Sequence, residues 1–326
     1  MSSKSEVLSV LESQKGIYIS GEALARKLGI SRAAVWKAIG ELREEGYRIT
    51  ALTRKGYLLE NASDLLSAEA VRLFLRREPG REIICRKLVS STNQAAKELA
   101  LSGAPDGALL LAEEQSEGRG RRGRGFVSPP GAGIYLSALL RPQLLAADAV
   151  LITAAAAVAV CEAVQALCGI DLGIKWVNDL YLGDRKVCGI LTEAATDFES
   201  GSVEYMVVGI GINFTTRPED FPEELRTVAG SLFPKGEAPV SRSQLAAEIV
   251  NRLEELLPGL PQRRFLAAYR ARSILLGERV EVLRGEKREI ARAVAIDDDA
   301  RLVIQKEDNT TEALRSGEIS IRRKPV

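Results

Sequence analysis

Apolar positions recur at helical spacing through the first 46 residues and then switch to alternation. Val7, Leu8 and Leu11 mark a helix over 4–14, Ser20 is placed to cap a second helix that stops at Gly29, and Ser31 a third that stops at Gly46. On the third helix Val35, Ile39 and Leu42 share one face, which leaves Arg32, Ala33 and Lys37 on the other. The run 47–59 then reads as a hairpin with its turn near Arg54, Lys55 and Gly56. Helix-turn-helix plus a basic-tipped hairpin predicts a winged DNA-binding domain over 1–62. Arg32, Ala33 and Lys37 would face the major groove, with Arg54 and Lys55 on the wing. The plainer reading of three helices is a small protein-interaction unit.

Residues 61–66 form a short polar linker, and Ser67 can cap the helix after it. From 67 to 272 strand and helix patterns alternate. Strands are expected at 83–89, 108–115, 133–140, 172–177, 186–195 and 203–213, and helices at 92–101, 148–168, 242–257 and 261–272. Periodicity alone gives an α/β mixture here. Beyond residue 277 the texture changes to short alternating runs, such as 279–283, 289–296 and 301–304, separated by polar turns. They predict a small β-barrel in a third unit, 273–326, and an α+β chain overall.

Composition narrows the function classes. A chain of 326 residues, 46% hydrophobic and 27% charged, can bury a sizeable core shared among two or three domains. The net charge is +1, and residues 1–60 hold ten Lys/Arg against seven Asp/Glu, so nucleic-acid contact must rest on a local patch. No charged segment followed by an apolar run opens the chain, which predicts no export signal. The most apolar stretch, 149–161, is alanine-rich, ends at Glu162 and is shorter than a bilayer span, which predicts a buried helix and no membrane contact. Cys85, Cys161, Cys168 and Cys188 lack metal or disulfide spacing and read as free thiols of a cytoplasmic protein. Zero histidines remove the Ser/His/Asp and Cys/His triads and every His-ligated zinc, and no metal site is expected. What remains is chemistry by positioning and charge stabilisation.

Residues 118–125 carry four arginines and four glycines, which suits neither a buried helix nor a packed strand. Glycine lets backbone N–H groups approach a ligand, and arginine supplies planar, permanently charged donors matched to phosphate or carboxylate. A solvated basic loop, or a nonspecific RNA-binding patch, has the same composition. The strand-like flanks at 108–112 and 134–140 instead hold the loop within a folded domain. Ser91, Thr92 and Asn93 read first as an N-cap cluster, a place that also offers hydroxyls and N–H groups to a polar ligand. Lys175-Trp176-Val177-Asn178-Asp179 reads as a strand ending in an Asn-Asp turn. Lys186 opens an apolar strand, where a solvated edge lysine is the plain reading; Gly189 would admit a ligand close to that strand and favours a functional one. Gly209-Ile-Gly-Ile-Asn213 leaves the dinucleotide-binding glycine pattern incomplete, so its glycines read as close backbone packing against a ligand.

These five motifs in this order resemble the bifunctional biotin-protein ligase and biotin operon repressor family, and the resemblance spans nearly the whole chain. The chain departs from the family at Val177, where proline is usual, and at Gly125-Phe126, where lysine and tryptophan are common. The resemblance implies a central mixed, mostly antiparallel sheet similar to class II aminoacyl-tRNA synthetases and an SH3-like barrel at the end. It implies that Ser91, Thr92, Asn93, Gln115, Gly118, Arg119, Gly120, Arg121, Lys186, Gly189 and Gly209 bind biotin. Arg119, Arg121, Arg124, Trp176, Asn178, Asp179, Lys186, Asn213 and Arg322 would bind ATP, with Lys186 and Arg121 catalytic. Biotin and ATP with Mg2+ would give biotinyl-5'-AMP, and the biotin would pass to a lysine on the biotin carboxyl carrier domain of a carboxylase. A homodimer loaded with biotinyl-5'-AMP would bind operator DNA. Two other readings stand beside it. A repressor that only senses a ligand would lack Lys186 and the nucleotide motifs, and a lipoate-protein ligase would share the fold without this loop.

Overall fold

The structure, a computed structural model, describes residues 2–61, 63–77, 81–142, 149–196, 202–284, 287–315 and 319–323. The first three helices, α1 (Ser3–Ser13), α2 (Gly21–Leu28) and α3 (Arg32–Glu45), each start at a serine. Its hydroxyl accepts a backbone N–H of the first turn. Gly29 and Gly46 take left-handed conformations and end α2 and α3. Val7, Leu8, Leu24, Val35, Ile39 and Leu42 form a separate core, which Leu59 closes from the hairpin of β1 (Ile49–Leu52) and β2 (Gly56–Leu59). At Gly56 a Cβ would lie 2.2 Å from the Ile19 carbonyl oxygen, so the wing can pack on the helices only with glycine there.

After α4 (Ala68–Phe74) a seven-stranded sheet runs in the order β3-β4-β5-β9-β8-β7-β6. Its strands are β3 (Ile83–Val89), β4 (Leu109–Gln115), β5 (Gly133–Leu140), β6 (Gly173–Lys175), β7 (Asp179–Leu182), β8 (Arg185–Thr196) and β9 (Val203–Asn213). Only β3 and β4 pair in parallel, so the sheet is mixed and mostly antiparallel. Alternate residues serve opposite faces: Leu109 and Leu111 join the main core, while Leu110 packs with Ala96 and Ala100 of α5 (Thr92–Leu101).

The main core is built on α6 (Ala149–Cys168) and α7 (Arg242–Leu256). By length and composition alone Val150–Cys168 could cross a membrane, since the helix continues through Glu162 and is longer than the predicted apolar stretch. Its residues Ala154 to Val160 are nevertheless fully buried among the sheet and α7, as a core helix should be.

Following α8 (Leu266–Ala271), the last unit is an all-antiparallel, SH3-like sheet ordered β13-β12-β11-β10-β14. It comprises β10 (Arg279–Arg284), β11 (Lys287–Ile296), β12 (Leu302–Gln305), β13 (Thr311–Leu314) and β14 (Ile319–Arg323). Val280, Val282, Leu302 and Ile304 share the main core with the central sheet.

One buried cation ties the first unit to the second. Arg242, 1% exposed, opens α7 and donates to Asp64 Oδ2 at 3.1 Å, Glu113 Oε2 at 2.7 Å and the Gly133 carbonyl at 3.1 Å. Glu113 in turn accepts the Leu66 N–H at 2.8 Å, and Ser243 donates to the Leu65 carbonyl. Burial by itself would depress the Arg242 guanidinium, but Asp64 and Glu113 outweigh it and hold the group above its ordinary value. The linker is therefore clamped to β4, β5 and α7.

Candidate active site

Over one end of the central sheet lies a cavity of about 340 Å3. Its walls come from the start of α5, the arginine-glycine loop, the turn between β6 and β7, β8, β9 and the segment 221–229. Every residue implicated in biotin or ATP binding lines it except Gly118 and Arg322. Gly118 sits at the neck of the loop, where a Cβ would fall 2.2 Å from the Phe126 carbonyl oxygen; its smallness closes the loop on itself. Arg322 pairs with Glu281 in the β10–β14 ladder, and its side chain lies outside the described residues.

At one end the first turn of α5 meets β4. Ser91 is the N-cap by backbone conformation but makes no side-chain cap hydrogen bond, so capping does not account for its hydroxyl. The capping comes from outside: Gln115 Oε1 accepts the Thr92 N–H at 2.8 Å and the Thr92 hydroxyl at 3.1 Å, while its Nε2 donates to Ser128 Oγ at 2.8 Å. Asn93 is committed internally. Its Nδ2 donates to the Leu191 carbonyl and to Glu193, and its Oδ1 accepts from Ser137 at 2.7 Å.

The loop is closed at its base by pairing of Arg119 with Gly125 and turns over at Arg121–Gly123, with Arg122 at a φ of 60°. Arg119 and Arg124 are exposed, whereas Arg121 is half-buried and donates to Asn178 Oδ1 at 3.3 Å. Burial lowers the Arg121 guanidinium from its ordinary value, against the attraction of Asp179. Lys186 Nζ lies 2.7 Å from Asp179 Oδ1. Its strand β8 is flanked by β7 and β9, and its backbone is held by Val228 and Gly230, so the edge-lysine reading is overturned.

At the Gly209–Asn213 motif both Gly209 and Gly211 line the cavity. A Cβ at Gly209 would meet Asn93 Oδ1 at 2.1 Å, and one at Gly211 would meet the Phe126 ring at 2.7 Å. These glycines make room for protein side chains, and through them shape the cavity floor. Gly189 opens between Lys186 and Phe126, each about 3.4–3.5 Å from its Cβ position. Phe126 stacks edge-on against Tyr135 with centroids 6.4 Å apart, filling the place where tryptophan is common in the family. At the other departure, the Val177 carbonyl accepts from the Tyr269 hydroxyl at 3.0 Å, and the Trp176–Val177 peptide is cis. Trp176 Nε1 donates to the Ala300 carbonyl at 2.9 Å, anchoring this wall on the C-terminal sheet.

Several lining residues had no sequence signal as site residues. Tyr181 and the Phe221, Leu225, Val228 and Ala229 strap are in this class, whereas Arg122, given no ligand of its own, belongs to the arginine loop the sequence had already marked. Burial first, then Asp179, pushes the Tyr181 phenol up to about 12, so it remains a donor at neutral pH. Burial raises the Cys85 and Cys161 thiols to about 12 and Cys168 to about 11, away from the thiolate form at neutral pH. Among the described residues no cluster of three metal-ligating side chains occurs. On the N-terminal helical unit and its hairpin, Arg32, Ala33, Lys37, Arg54 and Lys55 are all exposed.

Gly209→Ala tests the packing account of this floor. The added methyl displaces Asn93 from its three partners, so we expect a loss of about 1–3 kcal/mol of stability and weaker biotin binding. Calorimetric unfolding and biotin titration unchanged from the wild type would contradict it.

The comparisons with known proteins agree with this geometry. Residues 85–213 match the biotin/lipoate A/B protein ligase family, 4–58 an HTH domain, and 275–322 the biotin protein ligase C-terminal domain. The bifunctional ligase/repressor BirA of Bacillus spizizenii is 36% identical over 297 residues, 89% of this chain and 90% of that protein. Its namesake from Escherichia coli is 31% identical over 311 residues, 94% of each. Among solved structures, biotin protein ligase from Aquifex aeolicus in complex with biotin and ATP superposes with a TM-score of 0.64 at 29% identity, over 74% of this chain and 99% of that one. On domain content, relatedness along nearly the full length and the shared fold, the chain belongs to the bifunctional biotin-protein ligase/repressor family.

Proposed function

We propose that the cavity activates biotin with ATP and that the residues above divide the work as follows. Ser91, Thr92 and Gln115 receive the polar head of biotin, with Asn93 bracing them from behind. The biotin carboxylate, ionised at neutral pH, attacks the α-phosphorus; the oxygen–phosphorus bond forms, the bond to the β-phosphate breaks, and pyrophosphate leaves with the electron pair. Lys186 bridges carboxylate and α-phosphate, and Arg119, Arg121 and Arg124 neutralise the phosphate oxygens. The carrier lysine's amine then attacks the acyl carbon, AMP departs and the amine proton goes to solvent.

The observation that carries this reading is the convergence of Lys186, Asp179, Asn178 and Arg121 on one wall of the cavity. A repressor that only senses a ligand has no use for that cluster. Nucleotide binding gains support from Asn213, whose Oδ1 is buried beside the cavity with no hydrogen-bond partner among the described residues. Such an acceptor suits the adenine amino group. Asp179 is the acidic residue among those lining the cavity, and it faces Lys186. Among the described residues the cavity lining supplies no cage for Mg2+, which fits an ion carried on the nucleotide's own phosphates.

The protein is an ATP-dependent biotin ligase that doubles as a repressor, acting in the cytoplasm through units 1–62, 67–272 and 273–326. Its acceptor is a biotin carboxyl carrier domain, and its repressing form is a homodimer loaded with biotinyl-5'-AMP on operator DNA. Incubation with biotin, MgATP and a carrier domain should add one biotinyl group to the carrier by mass. Sedimentation should show biotinyl-5'-AMP strengthening the dimer and the carrier domain weakening it. An unmodified carrier would refute ligation; a monomer-dimer equilibrium indifferent to the adenylate would refute the switch.

A further inference from the structure

Two residues on α3 have no explanation in the packing of the protein itself. Trp36 is 72% exposed, although a tryptophan this bare leaves a large apolar surface in water. Gly40 lies mid-helix, where glycine weakens a helix, yet a Cβ there would meet nothing within 4 Å. No turn or neighbour requires it. Both fall on one stripe with Arg32, Ala33 and Lys37, opposite the buried Val35, Ala38, Ile39 and Leu42. At a rise of 1.5 Å per residue, 32 to 40 spans about 12 Å, comparable to the width of the major groove of B-DNA.

The charges around the stripe say what kind of partner comes close. Arg32 and Lys37 are exposed beside Trp36, and Arg54 and Lys55 project from the wing. The nearest acid to Lys37 is Glu41, at 3.9 Å on a surface-exposed pair. A polyanion with apolar groups at the bottom of a groove satisfies both the cations and the indole. Duplex DNA is such a partner, because its major groove exposes the C5 methyl of thymine.

We propose that Trp36 reads sequence, its indole lying against the C5 methyl of an operator thymine, and that Gly40 is where the DNA backbone approaches α3 too closely for a side chain. The proposal rests on the DNA-binding reading of this unit and names the residues that give it specificity. Arg32 and Lys37 then fix register through phosphates, and Trp36 supplies a discrimination that charge cannot.

The test uses the full chain with biotin and MgATP to select duplexes from a randomised pool. Each thymine of the selected site is then replaced by deoxyuridine, which pairs identically but lacks the methyl. At one or two positions the replacement should weaken wild-type binding about fivefold. Trp36→Ala should bind the thymine and deoxyuridine duplexes equally, Trp36→Phe should keep part of the preference, and neither should alter the salt slope. Gly40→Ala should melt at a higher temperature yet bind the site at least about tenfold more weakly, a combination that misfolding cannot produce. Equal methyl dependence in wild type and Trp36→Ala, or wild-type affinity in Gly40→Ala, overturns the proposal. So does weakened self-association of Trp36→Ala without DNA, which would assign the indole to a second copy. A pool with no enriched duplex refutes the DNA-binding reading itself, while biotin transfer to a carrier domain tests the ligase reading separately.

Discussion

Lys186→Ala should slow formation of biotinyl-5'-AMP by roughly tenfold to hundredfold in a single turnover, with a smaller effect on biotin affinity. A charge-assisted hydrogen bond contributes about 1.5–3 kcal/mol, and it gains when the contact tightens as charge develops on the reacting phosphate. The lysine is well placed for this. It sits on an interior strand whose backbone is pinned by β7, β9 and Val228, and Asp179 holds its Nζ at 2.7 Å. Asp179→Asn keeps the shape but removes the charge that aims the lysine, so its rate should fall by less than that of Lys186→Ala. Lys186→Arg should not restore the rate, because a planar fork cannot replace a compact ammonium in the same space. Rapid-quench measurement of adenylate settles the matter: a near-normal rate in Lys186→Ala would remove it from the chemistry.

Much of the fold was legible where local chemistry and burial agree. Ser20, Ser31 and Ser67 cap the helices they were expected to cap, and Gly29 and Gly46 end theirs, because caps are set within one turn of the chain. Strands 83–89, 133–140 and 203–213 also fall where they were expected, the last two as runs buried almost throughout. Short strands were harder. β7, β13 and β14 hold four or five residues each, and their polar flanks carry no period, so only their neighbours in the sheet define them. The predicted helix 261–272 shortens to Leu266–Ala271 after a run of turns.

The site was legible as a set of motifs but not as an arrangement. Sequence spacing brought Lys186, Asn178 and the arginines to notice. It could not show that Asp179 faces Lys186, that Asn93 spends its amide inside the protein, or that Gly209 and Gly211 yield space to Asn93 and Phe126. Asp179 and Lys186 meet only across the β7–β8 turn, and the other contacts join residues from 44 to more than a hundred positions apart. The strap 221–229 left no motif because it contributes apolar surface and backbone bonds, which any loop can supply.

Arg242→Met should cost about 3 kcal/mol of stability and loosen the linker between the two functions. Removing one member of a buried ion cluster strands the rest, and measured losses for such breaks run to about 3–5 kcal/mol. Here the stranded groups would be Asp64, part-exposed at 29%, and Glu113 at 14%, which places the expectation at the lower end. Arg242→Lys should recover little, since one ammonium cannot reach Asp64, Glu113 and the Gly133 carbonyl together. The damage should spread in two directions. Asp64 and Leu65 belong to the linker, so cleavage by protease within 61–66 should accelerate. Glu113 stands two residues before Gln115 on β4, so biotin binding should weaken as well. Adding Glu113→Gln to Arg242→Met should destabilise by less than the sum of the two single changes, because the second change removes a charge that the first left uncompensated. Denaturant midpoints for the four proteins read this coupling, and strict additivity would mean that Arg242 and Glu113 act independently.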